Sequence, residues 1–166
     1  MQYSSASVVQ NNTTGVRRTI KQGNHVLSVS ESLVEFSWSY KEEGSGVKYL
    51  KGFSIPLWDI TINTSKITVH TRCETAVIIN GAFTYRIVDP VKALKCAQPL
   101  EYMCLQVSSN TTEVFGRYSY KECFSKKRDI QEAIAEGVTK DMKERGFQCT
   151  EFIIETIQKT FNRRYS

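Results

Sequence analysis

Residues 75–90 read TAVIINGAFTYRIVDP, and this stretch decides the fold. Val77, Ile79, Phe83, Tyr85 and Ile87 recur every second residue on one face, the period of a strand with a buried side. Gly81 interrupts the run where a bend or a close backbone neighbour leaves no room for a side chain. Asp89-Pro90 then changes the grammar. An aspartate accepts the orphan N–H groups of a first helical turn, and proline at the first helical position loses no hydrogen bond. A long strand therefore runs straight into a helix, expected from Pro90 toward Ala97, with a second helical segment from about Pro99.

Upstream, Val34, Phe36, Trp38 and Tyr40 alternate with polar residues, and a Glu42-Glu43-Gly44-Ser45-Gly46 turn follows. Phe53, Ile55 and Leu57 continue the pattern, with Pro56 marking an edge or bend. The segments 59–63 and 67–71 predict a hairpin around Thr64-Ser65. The N-terminal half thus reads as an antiparallel β-meander. Residues 1–22, polar and without periodicity, read as a flexible arm. Downstream, Ser119-Tyr120-Lys121-Glu122 has the spacing of a capping box. Ile130, Ala133, Ile134, Gly137, Val138 and Met142 then trace one helical stripe, closed by Gly146 as a left-handed cap. A last strand follows, apolar on part of both faces, and residues 161–166 form a basic tail. The expectation is an α+β domain over residues 23–160: a meander, helices packed on the sheet, and a C-terminal strand.

Composition sets limits on function. The 166 residues are one domain's worth, 40% hydrophobic, with a formal net charge of +5. No stretch approaches the run of about 18 apolar residues that a membrane helix requires. The N-terminal residues show neither a signal-peptide core nor a myristoylation glycine, so the chain is expected to be cytoplasmic or organellar and not secreted. Five cysteines without a C-x-x-C pair read as reduced structural thiols. No metal or other cofactor is expected, since His25 and His70 lie far from any ligand pair in sequence.

No catalytic grouping emerges either, and the expectation is that this is not an enzyme. No nucleophile elbow and no phosphate-cradling glycine loop occur. Period-2 alternation puts His70 with Lys66, Thr68 and Arg72 on a polar face. Glu132, Glu136, Asp141 and Glu144 fall on the outer side of the helix, and Glu136 with Lys140 has the orientation of an i, i+4 pair. Nucleic acid is an unfavoured partner, because Phe36, Trp38 and Tyr40 read as core and not as stacking platforms. Basic clusters at Arg17-Arg18 and Lys126-Lys127-Arg128 suit solubility, or a peripheral contact with an anionic membrane.

The run ending Tyr85-Arg86-Ile87-Val88-Asp89-Pro90 resembles the strand of the SPFH (band 7) superfamily, which typically ends in Tyr-Arg-Ile-x-Asp-Pro before a helix. The segment from Lys127-Arg128-Asp129-Ile130 through Arg145-Gly146-Phe147 to the spaced aliphatics of the last strand resembles that family's second half. Stomatins, prohibitins and flotillins belong to it, and the resemblance covers roughly residues 26–158. It implies a scaffold without catalytic residues, working through itself or protein partners, since members typically assemble side by side at membranes. Members usually carry an N-terminal hydrophobic hairpin or acylated segment and a long coiled coil. Neither is read in this sequence, so any membrane contact is expected to be peripheral or through a partner. The candidate interface is the charged side of the long helix: Lys127, Arg128, Glu132, Glu136 and Lys140. Two other readings stand beside the scaffold: a soluble subunit of a cytoskeletal or organellar complex, and a lipid- or small-ligand-binding module with a cleft between meander and helices.

Overall fold

Strand β9 (Ala76–Ile87) is the spine of the molecule. The computed structural model describes residues 5–160 apart from Gln22, Asn24 and Ser45. In chain order the elements are β1 (Ser5–Asn11), β2 (Arg17–Lys21), β3 (Glu31–Leu33), β4 (Phe36–Glu42), β5 (Gly46–Gly52), β6 (Ile55–Pro56), β7 (Ile60–Asn63) and β8 (Ile67–His70). After β9 come α1 (Pro90–Leu94), α2 (Pro99–Phe115), α3 (Glu122–Ser125), α4 (Lys127–Met142), a 3-10 turn (Lys143–Arg145) and β10 (Phe147–Lys159). The domain is α+β, as its sequence patterns indicate.

Among the described residues the antiparallel strands lie in three sheets. β9 pairs antiparallel with β10 on one side and with both β7 and β8 on the other. The expected hairpin of residues 59–63 with 67–71 does not form. β7 and β8 are instead two halves of one edge strand broken at residues 64–66, because the Thr64 side chain intervenes. Its backbone N–H and its hydroxyl both donate to the Gly81 carbonyl, at 2.8 and 3.0 Å, and its hydroxyl accepts from the Gly81 N–H at 3.2 Å. A β-carbon at Gly81 would run into the Ile153 carbonyl of β10, so the close neighbour expected there is a backbone.

The arm assigned to residues 1–22 is also corrected. Residues 1–4 lie outside the described residues, but β1 pairs with β2, β3 and β6, and Ala6, Val8 and Val9 are buried. The polar run after β1 is a hairpin turn. The Asn11 side-chain oxygen accepts from the N–H groups of Thr13 and Thr14, and Gly15 turns the chain at φ 76°. The basic tail, 161–166, lies outside the described residues.

The helical half follows its sequence signals closely. Asp89 accepts from Lys92 N–H at 3.2 Å as an N-cap, although α1 stops at Leu94. The capping box is complete: Ser119 N–H donates to Glu122, and Glu122 N–H donates to the Ser119 hydroxyl. The Ser119 backbone bond is the chief cause holding the Glu122 carboxyl below the usual range. Gly146 is left-handed at φ 77°. α4 lies on β10 and beside α2, with Ile130, Ile134, Val138 and Met142 fully buried. One core unites these with β9, α2 and the β4–β5 hairpin, where Trp38 meets Phe147 at 5.9 Å between ring centroids.

β10 shows why its sequence is apolar on both faces. Its register against β9 slips at Thr150 and again at Glu155. Each bulge shifts the inward phase by one residue. Phe147 and Cys149 are buried before the first slip, Phe152 and Ile154 after it, and Ile157 is half-buried after the second.

Two stability outcomes follow from this packing. Ile134→Ala should lower stability by about 2–5 kcal/mol in chemical denaturation, because a fully enclosed aliphatic side chain is lost. Gly137 lies under the Asn110 side chain, whose amide donates to Gln106 O and Asp141 Oδ2 at 2.8 Å each. Gly137→Ala should therefore destabilise by about 1–3 kcal/mol despite alanine's better helix propensity. The measurement is the same denaturation midpoint, and Asn110→Ala added to Gly137→Ala should recover part of the loss.

Candidate interaction surface

α4 is held from below by its aliphatic stripe, and from the side by α2, so its outer face is a fixed platform. Arg128, Glu132, Glu136 and Lys140 are exposed on it, while Lys127 is only half exposed. Arg128 Nε donates to Glu132 Oε1 at 3.2 Å, with the two side chains 88% and 62% exposed. Pairs this wet contribute little to stability. Glu136 and Lys140, spaced as a pair, are not joined by an ion pair among the described residues.

Arg128 and Glu132 meet the rim of a shallow groove of about 490 Å³, whose other walls come from Asp59, Gln131, Glu151 and Phe152. Asp59 is held there by Arg86 of β9 at 2.8 Å, an ion pair that crosses from the segment before β7. Glu136, Lys140 and Lys127 do not line this groove. Of the five candidate residues the structure thus gathers two, and adds acidic groups from β10 and the β7 segment that helical spacing alone does not bring there.

Sequence reasoning missed Gln131 and Thr139. Gln131 Oε1 accepts from Ile154 N–H at 2.8 Å. Thr139 Oγ1 accepts from Cys149 N–H and donates to the Cys149 carbonyl, both at 3.0 Å. Both side chains close the outer edge of β10, so α4 acts as a substitute strand. The only signal for them was a polar residue flanking the apolar stripe, which is ordinary in any helix.

A second cavity, of about 450 Å³, opens between α2 and the Thr64 break. Phe83 and Val107 line it, and Cys104, Leu105, Lys41 and Glu101 stand around it. Burial and the Glu101 charge push the Cys104 thiol up to about 11, which favours its neutral form in the cavity wall. Burial likewise pushes the Cys149 thiol up to about 11. All five cysteines are free thiols. Among the described residues no group of three or more His, Cys, Asp or Glu side chains is placed to hold a metal ion. His70 is exposed, and the His25 Nε2 lies 2.7 Å from the Lys21 carbonyl.

The first sheet carries a different charge. Arg17, Arg18 and Lys21 lie on β2, and Arg18 reaches Glu31 of β3 at 2.8 Å. That bond, with a second from Ser28 N–H, holds the Glu31 carboxyl down to about 2. In the connections on either side of β2, Val16, Val26 and Val29 stand open to solvent, at relative exposures of 65%, 94% and 108%. No helix among the described residues is long and apolar enough to cross a membrane.

No curated protein matches the chain. The family comparison is decisive, because a model described as "SPFH domain / Band 7 family" matches residues 8–164, nearly the whole length. That span takes in the second half of β1 and all of β2, together with the β9–α1 junction and the α4–β10 unit. The chain belongs to the SPFH domain / Band 7 family.

Proposed function

We propose that this domain is a non-enzymatic scaffold unit that works through self-association, or by docking into a larger assembly, with the outer face of α4 as a contact surface. The carrying observation is that α4 is rigidly seated by four fully buried side chains while its other side presents Arg128, Glu132, Glu136 and Lys140 with one ion pair among them. A fixed array of under-used charges tunes association rate and salt dependence, and contributes little to the fold that carries it. The groove beside Glu132 and Glu151 supplies relief against which a partner can register. A soluble subunit of an organellar or cytoskeletal complex would use the same face.

A specific observation favours peripheral membrane contact as a second reading. The bared valines Val16, Val26 and Val29 flank a strand that carries Arg17, Arg18 and Lys21. Apolar residues beside cations suit the interface of an anionic bilayer, where each basic residue contributes about 1 kcal/mol.

The two surfaces are separable by experiment. Reversing Glu132 and Glu136 together to lysine should weaken self-association, read as molar mass by light scattering over a concentration and salt series, while the melting temperature stays within a degree or so of the parent. Mass curves that overlay the parent's at every salt concentration would remove α4 from the contact. In vesicle flotation the parent should rise with phosphatidylserine-containing vesicles and not with pure phosphatidylcholine. Val26→Asp with Val29→Asp should abolish that rise; a parent that stays at the bottom of the gradient with both compositions rules the membrane reading out.

A further inference from the structure

The molecule seals its strand edges unevenly. β10 is closed by Gln131 and Thr139 of α4. β4 is closed by one side chain, Gln98, whose Oε1 accepts from Ser39 N–H at 2.8 Å and whose Nε2 donates to the Ser37 carbonyl at 3.5 Å. β2, another edge strand, is five residues long and has three cations, a composition that discourages strand addition. β5 carries Lys48 and Lys51, but no side chain of a described residue closes its outer backbone edge.

The direction of its open groups follows from the register. Ser39 stands opposite Tyr49, and the Ser39 N–H points away from β5 to Gln98. This is a non-hydrogen-bonded pair, so the N–H and C=O of Tyr49 point away from β4 as well, and by alternation so do those of Val47 and Lys51. None of these groups is hydrogen-bonded to any described residue. The side chains of Val47 and Tyr49 are 50% and 64% exposed on the same strand. A seven-residue edge with open backbone groups and bared apolar side chains is a template for another strand.

Resting on the self-association proposed above, we infer that β5 pairs antiparallel with β5 of a second copy of this chain, joining the two hairpins into one four-stranded sheet about a two-fold axis at Tyr49. The occupant is fixed by self-complementarity. Outward groups must face outward groups, which permits only registers whose paired residue numbers differ from one another by even steps. Centring on Lys48 would set lysine against lysine. Centring on Tyr49 overlaps the whole of Gly46–Gly52, places Lys51 opposite Val47 of the second copy, and places Lys48 opposite its Leu50. Lys48 is already neutralised by Glu42 at 3.4 Å. Tyr49 meets itself, and the three outward residues exchange both backbone hydrogen bonds with their opposites.

The arrangement also terminates. The outer strands of the joined sheet are the two β4 strands, each capped by its own Gln98, so the contact is isologous and closed and does not grow into a fibre. Seven residues a side is well below the roughly 20–30 of a stable interface, so the pairing is reversible and concentration-dependent.

Tyr49→Pro tests this, because it deletes an edge N–H that β4 does not use. Light scattering on the full chain should show the parent's mass rising with concentration, and Tyr49→Pro should raise the dissociation constant about tenfold or more. Tyr49→Lys, which opposes two like charges on the axis, guards against a folding defect in the proline variant and should act in the same direction. Amide exchange at residues 47, 49 and 51 of the unmodified chain should slow at high concentration. If mass rises while those amides exchange alike in dilute and concentrated samples, the edge is wrong and self-association stands. A parent that is monomeric at every concentration overturns both.

Discussion

The close passage of three backbones at Gly81 is the constraint on which the rest of the structure depends. On one side Thr64 bonds its N–H and hydroxyl to the Gly81 carbonyl; on the other the Ile153 carbonyl occupies the space a side chain would need. Gly81 lies midway along β9, which runs through it as one unbroken strand. β7 and β8 meet it from one edge as two pieces, and β10 follows it along the other only by bulging twice. The first of those bulges brings Phe152 and Ile154 to the inward face, and α4 closes the β10 edge through Gln131 and Thr139. The helix carrying the candidate interface is thus placed by a glycine on another element.

What was legible in the sequence was whatever a local period or a local cap encodes. The inward face of β9, the Asp89 cap, the Ser119–Glu122 box, the α4 stripe and the Gly146 cap are each complete within a few residues. What was misread needs partners from far away. β1 has only Ala6, Val8 and Val9 to bury, and their strand character becomes visible once β2, β3 and β6 lie beside it. Thr64-Ser65 resembles a turn until Gly81 supplies a carbonyl for the threonine. The two-sided apolarity of β10 is visible in the sequence but its cause is not, because a bulge is a property of a pair of strands.

The candidate site was legible to the same degree. Helical spacing placed Arg128, Glu132, Glu136 and Lys140 on one exposed face, since the buried stripe dictates what lies opposite it. It could not supply Glu151 or Asp59, which reach the groove along β10 and from the segment before β7. Nor could it separate the two roles of polar residues on α4. Gln131 and Thr139 are occupied by backbone groups of β10, and Asp141 accepts from Asn110 of α2, whereas Glu136 and Lys140 have no ion pair among the described residues. By composition these residues are alike; their hydrogen bonds divide them into fold and surface.

That division gives a physical criterion for where the domain meets others. An open strand edge in water is a liability, and this fold answers it with side chains that imitate a missing strand, Gln131 and Thr139 at β10 and Gln98 at β4. Each seal costs side-chain entropy and fixes a polar residue that then cannot serve a partner. β5 has no comparable seal, and it bares Val47 and Tyr49 where polar residues would be cheap to place on an exposed strand. A fold that closes one strand of a hairpin and leaves the other open is asymmetric in its exposure to association. Under the scaffold reading, α4 then contributes charge and relief and the hairpin contributes a backbone template. The two surfaces differ in kind, since salt screens the first and barely touches the second.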